Sequence, residues 1–340
     1  MSRELRIGTR GSQLALWQAN TVKRRIEEAR GPACRIVVIK TSGDRLQEAP
    51  LSEVGGKRLF VKEIEDALLR DEVDLAVHSS KDMPAVLPEE LTIAAVLPRE
   101  DPLDAVVLPV RANGKEPRAD AALSPWPFAL SSIDDLVSAL GQSPSIGTGS
   151  VRRIAQLTRL LPGARFTPIR GNLDTRLRKL DEGVHDALVL AAAGLRRLGF
   201  ASRITLTLPA AACVPAPGQG IVAIEIRDGD DDTRRSVVRI DDRAAGAALK
   251  AERAVVEALG GGCQTPIGAL ATPEDGDMLQ LVAVVIALDG SRAVRGQARG
   301  PRERAAALGA SVGAQLLADG AGDILADAHH AQAAVEGLQP

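Results

Sequence analysis

Apolar and polar positions along this chain follow two patterns that alternate. Short apolar runs bounded by Gly, Ser or Thr are typical of strands, and apolar residues at helical spacing indicate helices. In the first third of the chain, the patterns predict strands over Leu5–Ile7, Arg35–Lys40, Asp74–His78 and Leu91–Leu97, and helices over Gln13–Ala29 and Phe60–Leu69. Strands that alternate with helices indicate a parallel α/β architecture.

The alternation stops over residues 109–144, where Pro, Ala and Ser dominate, and then resumes. We expect an irregular surface excursion there, with one short helix at Ile133–Leu140. Beyond it, the patterns predict strands over Ser145–Gly147, Arg165–Ile169 and Ala187–Leu190, and helices over Val151–Leu161, Asp174–Leu180 and Ala191–Leu198. The proline-rich run 208–220 is typical of a hinge or crossover.

After this run, the patterns predict a strand over Ile221–Ile226 and a helix over Ala244–Leu259. The last part of the chain, with a predicted strand over Leu281–Ala287 and a predicted helix over Ala305–Leu317, suits a small α+β domain. Single cores rarely grow beyond about 250–300 residues. A chain of 340 residues is therefore long enough for two or three domains.

Composition excludes several classes of protein. The net charge of −2 argues against a nucleic-acid binder that relies on bulk positive potential. No apolar run approaches the roughly 18 residues of a membrane-spanning helix, and the N-terminus lacks the apolar core of a signal peptide. The histidines and cysteines show no ligand spacing, so no metal site is expected. We therefore predict a cytoplasmic protein without membrane or nucleic-acid partners.

Cys263 lies in an unusual local sequence. It follows three glycines and precedes a Thr-Pro step. A buried structural cysteine behaves as a small apolar side chain and needs no such surroundings. Glycines let the backbone and a ligand approach closely, and the residue before a proline is disfavoured in a helix. The segment therefore predicts a thiol displayed on a loop.

Several basic segments join a predicted strand to a predicted helix. Over residues 147–153, the run Gly-Thr-Gly-Ser-Val-Arg-Arg combines small residues with a helix start, an arrangement that favours anions. A plain helix cap by Ser150, with two surface arginines, is the alternative. Because loops after parallel strands converge on one crevice, arginines of several such segments are expected to line a single cleft: Arg10, Arg152, Arg153, Arg170, Arg176 and Arg197. Arginine suits carboxylates and phosphates, so the sequence predicts a small polyanionic ligand.

Two further polar segments carry candidate chemistry. Ser79, Lys81 and Asp82 follow a predicted strand and precede Pro84. Among so many cations, Asp82 is expected to stay ionised, and it can stabilise a developing cation or relay protons. A salt bridge within a turn is the alternative. Lys57 lies in a glycine-loosened basic loop, either a mobile flap or an ordinary helix entry.

Taken together, these segments resemble the porphobilinogen deaminase (hydroxymethylbilane synthase) family. The matching runs, in family order, are LRIGTRGSQLALWQA, VGGKRLFVKEIEDALL, DLAVHSSKDMP, REDPLDA, GTGSVRR, RGNLDTRL, LAAAGLRRLG, PAPGQG, AERAVVEALGGGCQTPIG and LDGSRAVRG. They span nearly the whole chain, and the ordered set is highly specific.

The resemblance implies a fold and an activity. The fold has two periplasmic-binding-protein-like α/β domains with a crossover hinge, and a small C-terminal α+β domain for cofactor attachment. The expected bounds are 1–98 with 219–240, then 104–214, then 243–340. The activity is a transferase reaction of tetrapyrrole and haem biosynthesis. Four porphobilinogen molecules are joined head to tail with loss of ammonia, and hydrolysis releases hydroxymethylbilane. The family acts as a monomer.

The resemblance also implies roles for individual residues. Cys263 matches the cysteine that carries a covalent dipyrromethane cofactor, and Asp82 matches the catalytic aspartate. Positions that match cofactor- or substrate-binding residues of the family are Arg10, Ser12, Lys57, Ser79, Lys81, Thr148, Ser150, Arg152, Arg153, Arg170, Arg176 and Arg197. Three features depart from the family pattern: Gly149 stands where a serine is common, Arg58 replaces a frequent glycine, and the 109–144 excursion is long.

Two other classes of function compete with this interpretation. A non-catalytic binding protein for a small polyanion has the same two-lobed fold, but a third domain with a displayed cysteine does not belong to it. A thiol hydrolase that uses Cys263 as nucleophile needs a general base nearby, usually His. None of the four histidines has a position that suggests this partnership.

Overall fold

A computed structural model describes residues 3–41, 61–110, 130–261 and 265–337. The strands are β1 Leu5–Thr9, β2 Cys34–Val38, β3 Leu75–Ser79, β4 Leu91–Val96, β5 Asp104–Val107, β6 Ser145–Gly147, β7 Arg165–Thr167, β8 Ala187–Ala191, β9 Leu206–Leu208, β10 Val222–Arg227, β11 Ile267–Glu274, β12 Met278–Ile286 and β13 Ala293–Pro301.

The helices are α1 Gln13–Glu28, α2 Lys62–Leu69, α3 Ile133–Leu140, α4 Val151–Leu160, α5 Leu173–Asp181, α6 Ala192–Arg197, α7 Asp231–Val237, α8 Arg243–Ala258, α9 Ala305–Ala318 and α10 Ala321–Gly337. A short 3₁₀ turn, Ser80–Asp82, follows β3 directly. Within the described ranges, no helix is both long and apolar enough to cross a membrane.

Two five-stranded sheets share one topology. The first has the order β2-β1-β3-β10-β4 and the second the order β7-β6-β8-β5-β9. In each, the first three strands are parallel, and the fourth runs antiparallel to both of its neighbours. The fourth strand of each sheet adjoins a segment that crosses between the sheets. We call residues 97–103 the first crossing segment and residues 209–221 the second.

The third sheet is a smaller, antiparallel unit. Its order is β11-β12-β13, and α8, α9 and α10 pack against it. Val255 and Val285 are fully buried in its core. The backbone N–H of Ala269 donates to the carbonyl of Pro215 at 3.0 Å. This bond attaches the third sheet to the second crossing segment.

Most predicted elements are confirmed within one to three residues, and the predicted fold class of α/β units with a small C-terminal α+β unit is confirmed. The prediction of parallel sheets is wrong in one respect, because β5 and β10 each run antiparallel to both of their neighbours. Four strands, β5, β9, β11 and β13, and two helices, α7 and α10, were not predicted. Of the 109–144 excursion, residues 111–129 lie outside the described residues, and α3 has the predicted bounds. The domain bounds stay predictions.

Candidate functional site

The loops at the carboxyl ends of β1 and β3 form one pocket, which we call the Asp82 pocket. Its lining includes four residues predicted for the site, Arg10, Ser12, Ser79 and Asp82. The Ser12 hydroxyl caps α1 by accepting from the backbone N–H of Ala15 at 3.3 Å. The buried Gln18 donates to the Ser79 hydroxyl at 2.8 Å. The two loops meet because β1 and β3 are parallel neighbours, so their carboxyl ends share one edge of the sheet.

A second pocket, which we call the Lys81 pocket, lies where all three sheets meet. It is lined from the first sheet by Lys81 and from the second by Ser150 and Arg152. Arg253 of α8 and Thr265 line it from the C-terminal unit. Thr265 follows Cys263 by two residues. The predicted Cys263 site and the predicted Lys57 lie outside the described residues, so both stay predictions.

Asp104 is the partner of the two adjacent arginines on α4. Arg152 Nη1 donates to Asp104 Oδ2 at 2.8 Å, and Arg153 Nε donates to Oδ1 at 2.9 Å. All three side chains are buried. Burial by itself would raise the pKa of Asp104, but the two guanidinium groups override it and hold that pKa well below its usual range. The two arginines thus carry one charge beyond the single carboxylate that they share.

The first turn of α4 is not a plain helix cap with surface arginines, and that alternative is wrong. Ser150 stands at the cap position but makes no capping hydrogen bond through its side chain. The Thr148 hydroxyl accepts from the Ser150 N–H at 3.4 Å, and Thr148 itself is buried. Gly149 is exposed, and a Cβ built there meets no atom of the described residues within 4 Å. A serine at this position, common in the family, therefore has room.

Four predicted cations lack an ion pair with any carboxylate among the described residues: Lys81, Arg170, Arg176 and Arg197. Burial, reinforced by Arg153, lowers the pKa of Lys81 to about 8. Burial, reinforced by Arg153 and Arg170, lowers the pKa of Arg176 to about 10. Burial also lowers the pKa of Arg170. Such groups are costly to bury unless an anion accompanies them.

Arg197 bridges the two large sheets. From α6 of the second sheet it donates to the carbonyl of Gly220, in the second crossing segment, at 2.7 Å. Its guanidinium lies over the ring of Trp17 on α1 of the first sheet, 5.5 Å from the centroid. Burial lowers the pKa of Arg197 to about 10. Arg197, a predicted ligand residue of the second sheet, therefore also contacts the first sheet and the second crossing segment.

Sequence reasoning missed three buried residues that organise the site. Asp104 pairs with the α4 arginines, Gln219 contacts Lys81 and Arg153, and Glu252 accepts from Arg99. Each was visible only inside a quoted run: REDPLDA, PAPGQG and AERAVVEAL. The available signal was a single polar residue beside an apolar or proline-rich stretch, which indicates burial but not a partner.

The donor set fits a polycarboxylate cofactor. Ser80 Oγ and Arg152 Nε are buried and have no hydrogen-bond partner among the described residues, and both residues line the Lys81 pocket. The same pocket contains the Lys81 ammonium, whose one hydrogen bond within the described part of the chain is to Gln219 Oε1 at 3.4 Å. Carboxylates supply the acceptors that such donors need. Among the described residues, no group of three or more His, Cys, Asp or Glu side chains is arranged to hold a metal ion.

These features define a two-lobed α/β protein with a cation-lined cleft and a third unit at its mouth. The family model described as "Porphobilinogen deaminase, dipyromethane cofactor binding domain" matches residues 5–235, and the model of the C-terminal domain of that family matches residues 247–318. The chain belongs to the porphobilinogen deaminase family. The predicted family is confirmed, and the class of cofactor predicted with it is supported by the first model's description.

Curated relatives agree over nearly their whole length. Porphobilinogen deaminase of Geobacter metallireducens is 43% identical over 335 residues, which cover 98% of each chain. The enzyme of Desulforudis audaxviator is 46% identical over 328 residues, 96% of this chain and 98% of the relative. Among solved structures, the Bordetella pertussis BvgS VFT2 domain is 16% identical, with a TM-score of 0.39, covering 70% of this chain and 86% of that domain. A likeness at that level carries no argument about function.

Proposed function

We propose that the protein joins four porphobilinogen molecules head to tail, with loss of one ammonia at each condensation, and then releases hydroxymethylbilane by hydrolysis. The proposal is supported by family membership and by one observation in particular. The Asp82 carboxylate is close enough to Lys81 and to Arg176, on the other lobe, for its charge to favour the cationic form of both. A carboxylate between cations of two lobes suits a reaction in which a carboxylate-rich substrate passes through a cationic state.

Asp82 is the group we assign to catalysis. The C–N bond of the aminomethyl group breaks, the electron pair leaves with nitrogen, and a proton completes ammonia. The remaining pyrrole carries a positive charge on its N–H. Asp82, in a pocket with Arg10 and Ser79, accepts a hydrogen bond from that N–H and stabilises the charge. A carbon–carbon bond then forms at the methylene, and the α-proton of the attacking ring leaves, so charge and atoms balance.

The residues that would hold a dipyrromethane are those that the resemblance to the family implies, and several of them line the two pockets. When bound, that group supplies the free α-carbon at which the chain grows. Cys263 would anchor it through a thioether. Its acetate and propionate groups, and those of the added rings, would be accepted by the remaining predicted residues: Arg10, Ser12, Lys57, Ser79, Lys81, Thr148, Ser150, Arg152, Arg153, Arg170, Arg176 and Arg197. The cations without a carboxylate partner are the strongest candidates, because a ligand anion would balance them.

The finer organisation is also a proposal. The three sheet-centred units would be the domains 1–98 with 219–240, 104–214 and 243–340. The enzyme would act as a cytoplasmic monomer, as the resemblance to the family implies. A non-catalytic binding protein is not favoured by the family matches.

Intact mass and turnover test the proposal. The purified protein is expected to be heavier than its sequence by one dipyrromethane, to colour with Ehrlich's reagent and to release ammonia from porphobilinogen. An unmodified chain with full activity would contradict the role of Cys263.

Asp82→Asn tests the catalytic assignment. Loss of the carboxylate is expected to lower kcat by about 100-fold or more, because charge stabilisation at the reacting group is lost. Asp134→Asn, on the first turn of α3 and far in sequence from the site, is the matched control and is expected to retain turnover. Near-normal kcat in Asp82→Asn, with an unchanged melting temperature, would refute the role of Asp82.

A further inference from the structure

Gln219, on the second crossing segment, contacts both lobes. Its side chain is fully buried. The amide oxygen accepts from Lys81 of the first lobe and from Arg153 of the second, each at 3.4 Å. The amide nitrogen donates to the Pro102 carbonyl at 2.7 Å and to Asp104 Oδ1 at 2.9 Å.

These four hydrogen bonds fix the orientation of the amide. Its nitrogen must face Pro102 and Asp104, which only accept, so its oxygen must face the two cations, which only donate. The backbone of Gln219 is held too, because Arg99 Nε donates to its carbonyl at 2.8 Å. The oxygen is therefore presented to Lys81 from a rigid position.

The Lys81 ammonium makes one side-chain hydrogen bond within the described residues. That bond is to Gln219 Oε1, at 3.4 Å. The other N–H groups of the Lys81 ammonium are available to a ligand in the Lys81 pocket. Because an amide carries no charge, the contact directs the ammonium without neutralising it. The charges that act on Lys81 are Asp82 of the 3₁₀ turn, Asp104 of β5, and Arg152 and Arg153 of α4.

We propose that Gln219 is a positioning residue that holds the Lys81 ammonium towards the Lys81 pocket, where it binds a carboxylate of the pyrrole chain. The proposal rests on the proposed function, since that function supplies the carboxylate. It assigns to Gln219 no contact with substrate. The link between Gln219 and Lys81 can be measured without turnover, whereas the consequence for substrate binding cannot.

The first experiment measures Lys81 directly. The full chain with Cys263→Ala, which cannot carry the cofactor, is labelled with an amine acylating reagent across pH 6.5 to 10, and Lys81 is followed by peptide mass. Removal of a hydrogen-bond acceptor disfavours the charged amine. Gln219→Met is therefore expected to move the labelling midpoint of Lys81 to lower pH. Gln156→Met is the matched control, because Gln156 is also buried and also binds the second crossing segment, at Val214, without contacting Lys81. It should lower the melting temperature without moving the midpoint.

The second experiment is a double-mutant cycle on KM for porphobilinogen. If Gln219 acts through Lys81, Gln219→Met raises KM about tenfold in the unaltered background and less than about twofold in Lys81→Met. The same KM increase in both backgrounds, or an unmoved labelling midpoint, overturns the proposal. Gln219→Asn, which keeps the amide but withdraws it by one methylene, repeats both measurements if Gln219→Met folds poorly. An unaltered chain that does not consume porphobilinogen refutes the proposed function instead, and the labelling result still decides the Gln219–Lys81 link.

Discussion

Arg99 Nη1 donates to Glu252 Oε1 at 2.6 Å, and this pair joins the first crossing segment to α8 of the C-terminal unit. The same carboxylate accepts from the backbone N–H groups of Gly218 at 2.6 Å and Ala271 at 2.7 Å. Glu252 is fully buried. One carboxylate therefore ties the third sheet to both crossing segments.

Removal of the positive partner is expected to destabilise the protein strongly. Arg99→Met leaves a buried carboxylate without its cation, at a cost of about 3–5 kcal/mol in the free energy of unfolding. The exposed pair Arg178–Glu182 on α5 is the control, and Arg178→Met should cost less than about 1 kcal/mol. Urea unfolding measures both. Equal losses in the two variants would mean that the buried pair has no special structural role.

Asp104 is expected to matter more than its neighbour in the same sequence run. Asp104→Asn leaves two buried arginines without a counter-charge, so we expect a loss of about 3–5 kcal/mol and a marked fall in activity. Asp101→Asn removes only a partly exposed salt bridge with Arg196, so the free energy of unfolding should fall by less than about 1 kcal/mol. Thermal melting and turnover of the two variants test this. A stable and active Asp104→Asn protein would show that Arg152 and Arg153 need no carboxylate.

The second crossing segment is expected to tolerate no side chain at Gly220. Gly220 has φ +86°, and an added Cβ would overlap the carbonyl of Glu100 in the first crossing segment. Gly199 has a similar φ of +79°, and no atom in the described part of the chain lies within 4 Å of an added Cβ. Gly199→Ala should therefore cost about 1–2 kcal/mol from backbone conformation only, and Gly220→Ala clearly more. Urea midpoints that coincide would exclude the close approach of the two segments as the cause.

Loss of the cofactor is expected to lower stability in a pH-dependent way. The Cys263→Ala chain should melt below the cofactor-bearing protein, because the half-buried cations Lys81, Arg170, Arg176 and Arg197 would lack the ligand's carboxylates. The folded-state pKa of Lys81 is about 8, below its usual 10.5, so the unfolded chain binds the extra proton in this range. Stability of Cys263→Ala should therefore rise as pH increases from about 8 towards 10.5. Adding Lys81→Met should remove that rise; if it persists, Lys81 is not its source.

The local pattern of residues predicted most elements well. The helix α4 starts and ends within one residue of the prediction, and β6 and α3 have the predicted bounds. The strand Asp104–Val107 was missed because four residues buried on both faces show no alternation. The strand Ala293–Pro301 was missed because its exposed face carries Arg and Gln between glycines. Both strands exist because neighbouring strands supply their hydrogen bonds. The partners of Asp104–Val107, β8 and β9, lie far away in the sequence, whereas Ala293–Pro301 pairs with β12, the strand that precedes it.

The ordered motifs were enough to identify the family and to name the candidate site residues, because residue types and their spacing are properties of the linear chain. They could not separate cations that are already paired from those that are not. Arg152 and Arg153 look like Arg170 and Arg176 in the sequence, but only the first two share the Asp104 carboxylate. The roles of Gln219, Asp104 and Glu252 also depend on partners that the sequence does not show. Their partners lie up to 153 residues away, as for Arg99 and Glu252, and only folding brings the two groups into a shared, water-poor space where an unpaired charge becomes costly.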